Sequence, residues 1–93
     1  MFVQMSIHHP KPEAVHLLIE SMHAYGAALE GSPGLINIRT LQDAEAGVLV
    51  GLAMWTSKEL MEASVHRGRD AVKDHPFDVW EEHEPVGYRL TDA

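Results

Sequence analysis

The chain has 93 residues and no cysteine, and its 14 acidic against 7 basic residues give a formal net charge of −7. That length makes one small domain, the charge lacks the basic stripe a nucleic-acid phosphate backbone needs, and the missing thiols exclude disulfides, a thiolate nucleophile and Cys-ligated metals. No apolar run approaches the roughly 20 residues of a membrane span and Met1 to Pro10 lacks the basic start and long apolar core of a signal peptide, so a cytoplasmic protein with no membrane or nucleic-acid partner is expected.

The first segment, MFVQMSIHH, alternates: Val3, Met5 and Ile7 point one way, and Gln4, Ser6 and His8 the other, which is strand periodicity. Pro10 and Pro12 stop it. A helix follows, with Val15, Leu18, Ile19, Met22, Gly26 and Leu29 as its apolar stripe, Pro12 in its first turn and Gly31 just past its end. "SPG" turns the chain into a second strand, LINIRTLQD, whose polar Asn37 and Arg39 suit a sheet edge. "AEAG" is expected to make a hairpin into a third strand, VLVGLAMW. "TSKE" reads as a capping box with Thr56 as N-cap and Glu59 at N3, opening a second helix from about Ser57 to Val72. "DHPFDVWEEHEP" is a broken region with one helical turn around Phe77 to Glu82. "VGYRL" is a short last strand, and "TDA" a frayed end.

The order βαββαβ predicts an α+β, ferredoxin-like domain spanning residues 1–93, a four-stranded antiparallel sheet with two helices on one face. The third strand adds a second inference. Val48, Val50, Leu52 and Met54 form one face and Leu49, Gly51, Ala53 and Trp55 the other, and both are apolar. Two helices cover only one sheet face, and a strand with one wet face alternates. A second copy packed on the other face, sheet to sheet, is the simplest cover.

With these elements in place the whole chain, roughly residues 2–91, resembles the antibiotic biosynthesis monooxygenase-like family of dimeric α+β barrels. The parts that carry the resemblance are the short first strand, GSPGLINIRTLQD, and VLVGLAMWTSKELMEAS. In the last of these Trp55, Thr56 and Ser57 match a strand-three Trp followed by a Ser-type cap and a helix. The resemblance implies a homodimer and a cofactor-independent oxygenase: a base deprotonates an aromatic, quinol-like substrate, and the anion reacts with dioxygen. No metal, flavin or haem is expected. Two departures stand out. Many members carry a His on the second helix about nine residues after the Trp, where this chain has Ser64. The haem-degrading branch uses a strand-one Asn and a helix-two Trp, and this chain has neither, His75 being its nearest candidate for the later His of that branch. A haem-binding role is the remoter alternative, and a non-catalytic dimeric ligand-binding or scaffold module the nearer one.

The candidate residues follow. His9 or His75 is the expected base, since a free imidazole titrates in a useful range. Arg39 and Asn37 share a face of strand two and suit a carboxylate or enolate oxygen. Trp55 is expected as a pocket wall or a core residue. Ser64 and Gly68 are small residues on the buried stripe of helix two, where they either leave room for a ligand or allow close helix–sheet packing. Phe77 in the broken segment and Tyr88 on the last strand are further lining candidates. His66 falls on the far side of helix two, in water. His8 and His9 face opposite ways on one strand and cannot share an ion. His16, Glu20 and His23 are spaced for a metal but lie on a solvated helix face, so no metal site is expected.

Overall fold

The computed structural model describes all of residues 1–93. The chain forms β1 (Phe2–His8), a 3₁₀ turn (Pro12–Ala14), α1 (Val15–Leu29), β2 (Leu35–Asp43), β3 (Val48–Trp55), α2 (Lys58–Val72), a one-turn α3 (Phe77–Trp80) and β4 (Val86–Thr91). The four strands make one antiparallel sheet in the order β2-β3-β1-β4. β3 lies between β1 and β2, and β1 lies between β3 and β4, so each helical crossover skips one strand. This is the split βαβ arrangement of ferredoxin-like folds, with β2 on an edge as its polar residues suggest.

The register fixes which side chains face the helices. Opposite Trp55 stand Phe2 and Leu35; opposite Ala53 stand Gln4 and Ile38; opposite Gly51 stand Ser6 and Thr40. Phe2, Ala53 and Trp55 close with Leu29 of α1 and Met61 and Val65 of α2 into one buried cluster. Trp55 is fully buried, and its indole N–H donates to Gln4 Oε1 at 3.0 Å, which removes the cost of a stranded donor. The other sheet face presents Val3, Met5 and Ile7 beside Val50, Leu52 and Met54. Its flanking Leu41, Val86, Tyr88 and Leu90 are exposed in the single chain.

Two local details differ from the sequence reading. The cap of α2 is Ser57, whose hydroxyl accepts from the Leu60 N–H, and Thr56 lies one residue outside the helix. With Ser57 as cap the third helical residue is Leu60, so Glu59 cannot close a capping box. Thr56 instead donates its backbone N–H to the Gly34 carbonyl at 2.8 Å. Gly34 is held at φ +83°, and a Cβ there would meet Thr56 and Leu60 within 3 Å, so only glycine permits this junction. The last strand also runs one residue further than expected, through Thr91 opposite Phe2.

Candidate active site

Between the helices and the strands lies a cavity of about 480 Å³, in the range of small-molecule pockets. Its floor is a row of the sheet with almost no side chains. Ser6 on β1 has Gly51 as its partner on β3 and Gly87 as its partner on β4. A Cβ at Gly51 would come within 2.8 Å of Ser6 Oγ and 3.2 Å of the Met22 methyl, so the missing side chain makes the room in which the hydroxyl stands. The next row along the same face brings Gln4 and Arg89 to the cavity, and the helices contribute Ser21, Met22, Tyr25 and Arg69.

At one end of this floor His8 joins two partners. Its Nδ1 lies 3.0 Å from Glu81 Oε2 and its Nε2 lies 2.8 Å from Ser6 Oγ. Glu81 is 5% exposed, a buried carboxylate whose one basic partner within 4.0 Å is His8. A buried carboxylate requires a donor, so Nδ1 carries a proton toward Glu81, and in the neutral ring Nε2 is left to accept from the Ser6 hydroxyl. Glu81 is placed by backbone pairing: Pro10 and Glu81 form an isolated antiparallel bridge, and the Glu82 N–H donates to the His9 carbonyl at 2.9 Å. The carboxylate therefore reaches β1 because α3 ends at Trp80 and the chain runs back along the end of the first strand.

At the other end sits Tyr25. Burial raises its hydroxyl pKa above the ordinary 10.0, while the Arg69 charge and a hydrogen bond from Gln4 pull it partly back. Gln4 thus stands beside two core aromatics, accepting from the Trp55 indole and lowering the pKa of the Tyr25 hydroxyl. The phenol stays protonated at neutral pH and can donate. Arg69 and Arg89 line the cavity, and neither has a carboxylate within 4.0 Å. The arrangement supplies a positioned base, a phenolic donor and two free cations around one space, which suits proton removal from a substrate and stabilisation of the anion that results.

The residues singled out from sequence are distributed as follows. Phe77, Tyr88 and Arg39 border the cavity. By register Tyr88 and Arg39, like Asn37, take the outer-face positions opposite Met5, Leu52 and Met54 respectively. Asn37 is exposed and does not border the cavity. Trp55 is core and lies outside the lining. Ser64 is buried but also outside it. The space beside Gly68 is filled: a Cβ there would fall 2.6–2.9 Å from the ring of Tyr25. The small residues of α2 therefore serve packing, and the ligand space lies on the sheet side of Tyr25.

His75 is not a lining residue, but its Nδ1 is 2.7 Å from Ser21 Oγ, which is. His75, Phe77 and Trp80 pack on one another with ring centroids 5.7–6.0 Å apart and pin the broken segment. His9 stands outside the cavity, its ring 4.4 Å from that of His83 and its Nδ1 buried without a partner. His66 is exposed, and no cluster of three metal-ligating side chains exists, the His16–Glu20–His23 face included. Sequence reasoning passed over Ser6, Tyr25 and Glu81; it allowed that one of His8 and His9 faces the cavity as a base and chose His9, whereas His8 is the one that lines it. The polar run Gln4, Ser6, His8 on a single strand face was the available signal.

Taken together, fold and site define a ferredoxin-like α+β domain with a polar-ended ligand cavity between its helices and sheet. Among solved structures, Rv0793 from Mycobacterium tuberculosis superposes with a TM-score of 0.83 at 13% identity, covering 99% of this chain and 94% of that one. An antibiotic biosynthesis monooxygenase superposes at 0.79 and 11%, covering 100% and 99%. A monooxygenase from the gene ActVA-Orf6 of Streptomyces coelicolor, solved with the ligand nanaomycin D, superposes at 0.76 and 16%, covering 99% and 87%. The chain thus has the fold of antibiotic biosynthesis monooxygenase-like proteins over its whole length. No family model and no curated protein matches its sequence, and no helix is long and apolar enough to cross a membrane.

Proposed function

We propose that this protein is a homodimeric, cofactor-independent monooxygenase acting on an acidic aromatic of the quinol type, with His8 as the base. The observation that carries the reading is His8 held between buried Glu81 and Ser6 at the edge of a cavity that also presents Tyr25, Arg69 and Arg89. The substrate hydroxyl gives its proton to His8 Nε2, directly or through the Ser6 hydroxyl. Glu81 holds the imidazolium that forms. The phenolate lies against the two arginines and the Tyr25 hydroxyl. It reacts with dioxygen: one oxygen atom enters the ring at a C–H carbon, the other leaves as water, and the quinol, which supplies all four electrons, ends as the hydroxyquinone. Met22, Phe77 and Val72 supply apolar walls. That a monooxygenase with the same fold has been solved with a bound ligand supports a cavity reading over a purely structural one.

The second copy belongs on the outer sheet face. Its exposed Leu41, Val86, Tyr88 and Leu90 surround a half-buried apolar centre, and a patch of this kind on a soluble protein marks an interface. Tyr88 and Arg39 occupy positions where that face meets the cavity border, so dimerisation would also close the border.

The test is quinol oxidation under air in the presence of a chelator. We expect turnover by the wild-type protein and a loss of about 10²–10⁴-fold in His8→Ala, the usual contribution of a positioned base. Quinol binding without oxygen-dependent turnover overturns the oxygenase reading and leaves a ligand-binding module.

A further inference from the structure

We propose that Ser6, His8 and Glu81 also form an acyl-transfer centre, with Ser6 Oγ as nucleophile toward small aryl esters. This goes beyond the oxygenase reading, in which Ser6 is at most a proton relay. Three observations carry it. The first is the order of the hydrogen bonds: hydroxyl to imidazole at 2.8 Å, imidazole to buried carboxylate at 3.0 Å. Nucleophile, base and orienting acid stand in the sequence that activates a serine, and such sets are recognised by geometry and not by fold. The second is polarity. Glu81 fixes the proton on Nδ1, so Nε2 is the acceptor and the Ser6 proton points along the line of transfer. The third is access. Ser6 lines the cavity and both of its cross-strand neighbours are glycine, of which Gly51 makes the room for the hydroxyl.

The oxyanion needs a donor other than the backbone, because β1 is paired on both edges and its amides are committed to the ladders. Arg89 supplies one. It is on the same sheet face as Ser6, one pair along from Gly87, borders the cavity and has no carboxylate partner. In the step itself Ser6 Oγ bonds to the ester carbonyl carbon as its proton passes to His8 Nε2. The tetrahedral adduct then breaks its bond to the aryloxy group, which leaves with that proton. Water cleaves the acyl-serine by the same route, releasing the acid and restoring the hydroxyl.

The experiment uses p-nitrophenyl acetate with the intact protein under nitrogen, following nitrophenol release and mapping the acetyl group by peptide mass spectrometry. We expect a burst stoichiometric with protein and acetylation at Ser6. Ser6→Ala should remove both, Ser6→Cys should restore acylation, and Glu81→Gln should slow the burst by about 10²-fold or more, as loss of the orienting acid does in serine hydrolases. Acetyl found only on His8, a lysine or the N-terminus, or a burst unchanged in Ser6→Ala, overturns the proposal. Where Ser6→Ala misfolds by circular dichroism, failure of the folded Ser6→Cys protein to acylate overturns it equally. Acylation needs no dioxygen and quinol oxidation does, so the outcome under nitrogen is independent of the oxygenase reading.

Discussion

Replacing Gly68 by alanine probes the packing that separates the cavity from α2. The added Cβ would fall 2.6, 2.8 and 2.9 Å from three carbons of the Tyr25 ring. These are atoms of a rigid ring and not the far end of a flexible side chain, so the clash is not relieved by a small bend. Overpacking of this kind costs about 1–3 kcal/mol. Alanine in a helix interior recovers about 0.5–1 kcal/mol through backbone entropy and propensity. The net effect is a destabilisation of about 1 kcal/mol, which corresponds to about 4–8 °C in Tm for a domain of this size. Urea unfolding at fixed protomer concentration measures it. The double variant Gly68→Ala/Tyr25→Leu should lose less than the sum of the single variants, because a flexible side chain relieves the clash. A Gly68→Ala protein as stable as wild type, or more stable, would show that Tyr25 is not clamped between α2 and the sheet.

Three other expectations follow from the same contacts. Gln4→Leu strands the buried Trp55 indole N–H and should cost about 1–3 kcal/mol in urea unfolding; a neutral result would mean the indole finds another acceptor. Burial raises the Tyr25 pKa above 10.0, so the folded state holds a proton that the unfolded chain gives up. The associated stability is complete below pH 10 and is lost as the pH climbs through the folded value. Thermal unfolding of wild type should therefore decline with alkali more steeply than that of Tyr25→Phe, and parallel declines would refute the assignment. Leu90→Glu places a charge at a position 38% exposed in the single chain. It should barely alter protomer folding yet give monomers in light scattering, and a dimer unaffected by it would move the interface elsewhere.

The fold was legible because its elements announce themselves in local pattern. VLVGLAMW has no polar residue, which marks an inner strand, and β3 lies between β1 and β2. The α2 cap was misplaced by one residue because Thr56 and Ser57 are chemically equivalent caps. What decides between them is the Gly34 carbonyl, which takes the Thr56 N–H from a distant turn. The site was harder for the same reason. Gln4, Ser6 and His8 could be assigned to one strand face from alternation alone. That this face looks at the helices, and that β1 lies between β3 and β4, depends on strand order. Glu81 sits 73 residues from His8 in the chain and reads as one acid among several in DVWEEHEP. The emphasis on Ser64 and Gly68 rested on their size and their place on the buried stripe, and neither reveals that Tyr25 of α1 fills the space at Gly68.

The pairing of β1 with β4 bears on how the protein becomes competent during synthesis. Ser6 and His8 leave the ribosome well before Glu81, Gly87 and Arg89, His8 and Glu81 being 73 residues apart in the chain. Until Glu81 and β4 dock, the imidazole lacks its carboxylate, β1 has a bare edge, and the floor under the cavity lacks the strand that carries Gly87 and Arg89. Closing contacts across nearly the whole chain is slow relative to helix formation. A nascent or C-terminally nicked chain should therefore retain the three strands β2-β3-β1 while possessing no complete site. Chemistry at this cavity then reports that the chain has reached its last strand, and activity would be a stricter gauge of complete folding than helix content.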